Sequence, residues 1–125
     1  MLNQATSQDL ALAPPNGSIL APVSGCGLTS TEIVTVRVFN FGPTLLAGST
    51  FNVSYSLDGG GPVTELVTLP SNLTTNSTYT YSFTATADLS VAGAHTIDAT
   101  VILAGDINPA NDTYSGYSVT NTATS

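Results

Sequence analysis

Apolar and polar positions alternate along most of this chain, strictly enough to place its elements. In Phe51-Asn52-Val53-Ser54-Tyr55-Ser56-Leu57 every second residue is apolar and every residue between is polar. Over residues 78–86, Tyr79, Tyr81, Phe83 and Ala85 face one way, and Thr78, Thr80, Ser82, Thr84 and Thr86 the other. Side chains on a β-strand point alternately to opposite faces, so a period of two marks a strand with one buried and one wet face. The same rule sets Val34, Val36 and Val38 against Ile33, Thr35, Arg37 and Phe39 in residues 31–40. It turns Ile97, Ala99, Val101 and Leu103 inward in residues 95–103. Further strands are predicted over 9–14, 63–69 and 113–119, and in the last of these Tyr114 and Tyr117 fall on opposite faces. No stretch of ~11 residues carries the i, i+3, i+4, i+7 spacing of an amphipathic helix.

Turn residues punctuate the pattern. Pro14-Pro15 ends the first strand, Asn40-Phe41-Gly42-Pro43 the second, and Pro70 the fourth. Asp58-Gly59-Gly60-Gly61-Pro62 reads as a hairpin turn, because Asp-Gly and Gly-Gly supply the positive φ angles such turns require. The continuous apolar runs of a parallel sheet are missing, so the strands are expected to pair antiparallel. The fold class is therefore all-β: a seven-stranded antiparallel Ig-like or fibronectin-III-like β-sandwich forming a single domain over residues 8–120. Residues 1–7 read as a disordered or appended segment and 121–125 as a tail or linker. An antibody-type domain does not fit, because the chain has one Cys and no Trp.

Composition narrows the function. Charged residues make up 7% of the chain, against ~25% in ordinary soluble domains. Arg37 is the only strong base, there is no lysine, and the net charge is −7. One Arg cannot neutralise a phosphate backbone or form a polybasic contact with lipid, so neither nucleic acid nor direct membrane contact is expected. Without lysine there is no Schiff base, no P-loop and no Lys–Asn isopeptide staple. No run of ~20 apolar residues is present to span a bilayer.

The lone Cys26 follows Val23-Ser24-Gly25, which resembles the end of a lipoprotein signal. A true signal needs a cationic start and an unbroken apolar run, and here Asp9, Pro14, Pro15, Asn16 and Pro22 interrupt it. Gly25-Cys26-Gly27 reads instead as a tight loop entering the second strand. Cys26 is then an unpaired small residue at the end of the sandwich, or half of a disulfide to a neighbouring repeat or to a second copy of the chain.

Several segments taken together carry a family resemblance. They are Val34-Thr35-Val36-Arg37-Val38-Phe39-Asn40-Phe41-Gly42, Asp58-Gly59-Gly60-Gly61-Pro62-Val63-Thr64-Glu65, Thr86-Ala87-Asp88-Leu89-Ser90-Val91-Ala92-Gly93, and the run from Asp106 to Asp112. In this order they resemble Ig-like repeats of large secreted or surface proteins of Bacteroidota-type bacteria, akin to the CARDB (cell-adhesion-related) family. The resemblance covers roughly residues 8 to 120. It implies a β-sandwich repeat of a multi-domain adhesin or stalk, exported by the type IX route and related to gliding and surface adhesion. Its partners would be neighbouring repeats of the same polypeptide and surface glycans or other cells. The resemblance brings no catalytic residues. One departure is His95, where the family tends to carry an aromatic.

Candidate chemistry is sparse. Asp106, Asn108, Asn111 and Asp112 fall within seven residues of a connecting segment. Calcium takes six to eight oxygen ligands, and this set could supply some of them. The alternative is that these Asx residues shape their own turn around Pro109. Asp58 is expected to serve its hairpin. His95 has no second His or Cys motif to make a zinc or catalytic site, and is expected at the rim of the sandwich with an ordinary hydrogen bond. Tyr55, Tyr79, Tyr81 and Phe83 are expected inward, as core and not as a sugar platform. There is no Gly-x-Ser-x-Gly elbow.

The expected function is a non-catalytic extracellular structural or adhesion module at the bacterial cell surface. The alternatives are a module binding carbohydrate, ice or a host surface, and an accessory domain of a secreted hydrolase. An outward Thr/Ser row at 78, 80, 82, 84 and 86, repeated on a neighbouring strand, would favour the binding alternative.

Overall fold

A computed structural model of the chain describes residues 8–104 and 111–122. Nine strands occur among them: β1 (Leu10–Ala11), β2 (Ser18–Ala21), β3 (Gly25–Cys26), β4 (Glu32–Asn40), β5 (Thr50–Leu57), β6 (Val63–Thr68), β7 (Thr78–Ala87), β8 (Gly93–Ile102) and β9 (Thr113–Thr122). The first sheet holds β4 at its centre, with β7 on one side and β1 and β2 in succession on the other. The second runs β3-β9-β8-β5-β6. Every pairing is antiparallel except that of β3 with β9.

The two sheets pack over one core, and the period-two residues fill it. Val34, Val36 and Val38 from β4 are fully buried, as are Val53, Ile97, Val101 and Val119 from the second sheet. Tyr55 of β5 meets Phe83 of β7 edge to face with ring centroids 4.7 Å apart, a geometry that suits the aromatic quadrupole. Asn40 is buried where β4 ends. Its amide donates to the carbonyls of Pro43 and Leu73 and its Oδ1 accepts from Gly42 N–H, which fixes the predicted turn.

The first predicted strand, 9–14, is the main departure. It is a two-residue strand, and two further short strands, β2 and β3, follow it before β4. The segment descends beside β4 and then crosses to the second sheet through residues 22–24. Tyr117 O–H donates to Pro22 O, and Thr120 N–H to Ser24 Oγ. Beyond the crossing it lies beside β9 and runs in the same direction, which makes that pairing parallel. Gly25-Cys26 is thus a short strand, not the loop expected from its glycines, and Cys26 is exposed.

Tyr114 and Tyr117 also depart from the simple pattern. Their rings touch edge to face at 5.6 Å, and both pack against the core. Between Ile97↔Tyr117 and Ala99↔Tyr114 the register shifts, so β9 carries one extra residue. Gly116 takes it up with φ +78°, and Asp98 Oδ1 accepts its N–H at 2.7 Å. A bulge of this kind returns two tyrosines to one face.

β1 begins beside the end of β4, whereas β9 ends beside the start of β8, which follows the far end of β7. The chain therefore enters the sandwich at one end, here the entry end, and leaves at the other, the exit end.

Candidate functional site

The described part of the oxygen-rich run, Asn111 and Asp112, sits at the entry end. Asp106 and Asn108 lie outside the described residues. Asn111 and Asp112 lead into β9, and their backbone carbonyls are already engaged. Asn111 O accepts from Leu12 and Ala13 N–H at 3.0 Å each, and Asp112 O accepts from Val101 N–H at 3.0 Å. The side-chain Oδ1 atoms of Asn111, Asp112 and Asp9 are all shut off from solvent, and that of Asn111 has no hydrogen-bond partner among the described residues. Asp9 also lies at the entry end, ahead of β1, and its carbonyl accepts from Phe41 N–H. Among the described residues no three His, Cys, Asp or Glu side chains form a metal-binding group.

The exit end holds His95, the first inward-facing residue of β8. It is 7% exposed, more deeply placed than a rim histidine. Its Nδ1 lies 2.7 Å from Asp58 Oδ2 and its Nε2 lies 2.7 Å from Val91 O. Asp58 is the first residue of the β5–β6 turn, with φ +52° followed by Gly59 at +74°, and Gly60 N–H closes the turn on Leu57 O. Its Oδ1 also accepts from Thr96 N–H. The hairpin aspartate thus does more than shape its own turn, because it also fastens that turn to β8. The Val91 carbonyl and the Asp58 carboxylate together raise the His95 pKa above its usual value, and Asp58 is in turn held below the usual carboxylate range by the imidazole. With both ring nitrogens committed, His95 has none left to act as a general base.

A third polar cluster closes one open side of the sandwich. Glu65 faces inward from edge strand β6. Its carboxylate accepts from Tyr81 O–H (2.6 Å), Thr84 Oγ–H (2.8 Å), Thr84 N–H (2.9 Å) and Ala85 N–H (2.9 Å). These are groups of β7, the edge strand of the other sheet. Burial pushes the carboxyl pKa up, but the hydrogen bonds outweigh it and hold Glu65 at about 2. The opposite side is closed by the strand that crosses from β2 to β3.

Both His95 and Glu65 carried a readable signal. Each is an ionisable side chain at an inward position of an alternating strand, Glu65 between Val63 and Val67 and His95 ahead of Ile97, Ala99 and Val101, and such a residue needs a partner.

The Thr/Ser row on β7 is exposed at all five positions. It is not repeated on β4, whose outward residues are Ile33, Thr35, Arg37 and Phe39; only Thr35 and Ser82 pair hydroxyls, at 2.9 Å. A transverse hydroxyl row that the linear reading missed runs across the second sheet. It comprises Thr64, Ser54, Thr100 and Thr113 in cross-strand register. Of the aromatics expected inward, Tyr55 and Phe83 are buried, while Tyr79 and Tyr81 are half-buried against the core.

A four-stranded sheet of β1, β2, β4 and β7 on one side and a β3-β9-β8-β5-β6 sheet on the other make this a β-sandwich of the Ig-like class. Comparison with solved structures refines the class. The chain has the fold of the CARDB domain of the PF1109 protein from Pyrococcus furiosus. Against its solution NMR structure the TM-score is 0.58 at 21% identity, covering 92% of this chain and 95% of that one. Against the crystal structure of the same domain in complex with di-metal ions, the TM-score is 0.52 at 18% identity, covering 98% and 95%. No protein-family model matches the chain, and no curated protein does.

Proposed function

We propose that the chain is a non-catalytic β-sandwich module of a larger extracellular protein, serving as a spacer or adhesion unit beside neighbouring modules. The observation that carries this reading is the path of the chain, in at one end of the sandwich and out at the other. A module threaded in this way adds length to a stalk without folding the stalk back on itself. The closed sides support the same role. An open sheet edge is a template for unwanted pairing, and here Glu65 and the crossing segment cover one side each. A surface poor in charge and rich in Thr, Ser and Asn suits exposure outside the cell. Bacterial surface adhesion and type IX export rest on the sequence motifs alone. The flanking sequence of the full gene tests the reading. Tandem sandwich modules and a terminal sorting signal support it, and an adjoining protease or glycanase module would replace it with an accessory role.

A second reading concerns the entry end. We propose that the segment from Asp106 to Asp112 takes part in a weak calcium site. Support comes from the buried Asn111 Oδ1, an amide oxygen with no donor among the described residues, and from the di-metal complex of the PF1109 domain. Thermal unfolding in calcium and in chelator decides it. A higher midpoint in calcium that vanishes in Asp112→Ala supports the site, and equal midpoints remove it.

A further inference from the structure

His95 lies between two acceptors. A backbone carbonyl can only accept, and an ionised carboxylate can only accept. Nδ1 at 2.7 Å from Asp58 Oδ2 and Nε2 at 2.7 Å from Val91 O are therefore both satisfied only if both nitrogens carry hydrogen. That form is the imidazolium cation. It ties two connections that share no backbone pairing: the β5–β6 turn, through Asp58, and the β7–β8 turn over 88–92, through Val91. Both sit at the exit end, where Asn121 of β9 adds its own bonds to Leu89 O and Ser90 O.

We propose that His95 is a proton-operated clasp that locks these two turns together while charged and releases the Val91 end of the β7–β8 turn when neutral. Loss of one proton to solvent leaves one N–H and one lone pair. The surviving N–H stays with Asp58, because a charged acceptor makes the stronger bond. The Nε2 lone pair then faces the Val91 carbonyl, and the two repel. Val91 itself is 69% exposed, whereas Leu89 on the same turn is fully buried and bonded to Thr29 and Asn121, so the release concerns the Val91 end of the turn and leaves Leu89 in place.

The polar and charged groups that face the ring favour the cation and outweigh its burial, which opposes it. Asp58 faces it from the β5–β6 turn and Asp88 from the β7–β8 turn, where Ser90 N–H and Oγ–H hold its carboxylate. β9 sets the apolar Val119 opposite His95. Glu32, at the start of β4 on the same end, is occupied by Thr29. Arg37, the sole strong base, is bound on the outer face of β4 to the Asn16 and Pro15 carbonyls. The sign follows. A histidine raised by folding stabilises fully below its ordinary value of ~6.5, and that contribution is lost as pH rises through the folded pKa. Asp58, lowered by folding, limits the clasp only on the acid side.

The test is an NMR titration of the chain from about pH 5.5 to 9, around the ordinary histidine range. The readouts are the His95 ring ¹⁵N shifts, the Val91 carbonyl ¹³C shift, and amide protection at the Val91 end of the turn, corrected for intrinsic exchange. Both ring nitrogens should report N–H at the acid end, with a midpoint above 6.5. The Val91 carbonyl should move with the same midpoint, and protection at the Val91 end of the turn should fall about tenfold, the equilibrium value of one lost hydrogen bond. In His95→Phe, which keeps a ring in the slot, both pH effects should vanish. A midpoint at or below the ordinary value overturns the clasp. So does a Val91 carbonyl that stays still while the ring titrates. Both outcomes are read from the unaltered chain, whether or not the variant folds.

Discussion

The carboxylate of Glu65 and the phenol of Tyr81 meet at 2.6 Å across the side of the sandwich that no crossing strand closes. Glu65 belongs to the edge strand of one sheet and Tyr81 to the edge strand of the other, so the bond ties the two layers directly. The same carboxylate satisfies the N–H groups of Thr84 and Ala85, which no neighbouring strand pairs. A single acid therefore links the sheets and blunts an edge. The chain can leave that side open because β6 and β7 are fastened by side chains.

Replacing Glu65 with Gln should cost about 2 kcal/mol of stability, the usual scale for hydrogen bonds to a charged acceptor. Gln keeps the shape, but it presents N–H groups to a ring of donors. Urea unfolding of both proteins measures the gap. Because folding lowers the Glu65 pKa, the stabilisation is complete above the ordinary carboxylate value of 4.5 and is lost as pH falls toward about 2. The gap between the two proteins should accordingly close over that interval. A gap that stays constant from neutral pH to pH ~2 would show that the charge is immaterial.

Tyr81 should ionise late. Burial, followed by the bond to Glu65 and its negative charge, pushes its pKa to about 12. Its contribution is complete below the ordinary value of 10 and disappears as pH rises through about 12. Following the Tyr81 ring ζ-carbon by NMR reads this directly, and Glu65→Gln should bring the midpoint back toward 10. An unchanged midpoint in that variant would mean that burial alone is responsible.

Residues whose burial follows strand parity were legible from sequence: Val34, Val36 and Val38, or Phe51, Val53 and Tyr55. Two kinds of feature were not. Strands of two residues, such as β1 and β3, are too short to show a period, and their existence depends on a partner strand distant in sequence. A bulge reverses parity without leaving a mark in the alternation, so Tyr114 and Tyr117 were set on opposite faces although a glycine brings them together. The oxygen-rich run was visible as composition, but the burial of the Asn111 and Asp112 Oδ1 atoms is a property of the entry end as a whole. His95 and Glu65 were visible as misfits in otherwise apolar faces; their partners came from turns and edges that only the folded chain brings close.

Gly116→Ala tests the bulge. A Cβ there would meet nothing within 4 Å, so space is not at issue. Its φ of +78° is the whole cost, about 1 kcal/mol or slightly more for a residue with a side chain. Thermal unfolding should show that modest loss, with Asn at the same position costing less than Ala because Asn enters this region more readily. Equal stability of Ala and Gly would mean that the bulge relaxes and the Tyr114–Tyr117 contact is dispensable.

Gly17→Ala should be far more damaging, for a different reason. The backbone at Gly17 is not in the left-handed region, but an added Cβ would lie 2.4 Å from Leu12 Cα, with the Leu12 carbonyl carbon and oxygen at 2.5 and 2.6 Å. Those are backbone atoms, so no rotamer change relieves the clash. The loop over 13–16 would have to open, straining the Gly17 N–H to Ala13 O bond and pulling the Asn16 and Pro15 carbonyls away from Arg37. Leu12 is fully buried and its N–H is bonded to Asn111, so it cannot simply retreat. Overpacking of this kind costs up to about 3 kcal/mol. Chemical denaturation of the two glycine variants side by side separates the mechanisms. The loss at position 17 should clearly exceed that at 116, and should be accompanied by lower amide protection at Leu12 and Ala13. A loss at 17 no larger than at 116 would mean that β1 and β2 are free to part, and that the first segment is held to the sandwich less firmly than its buried leucines imply.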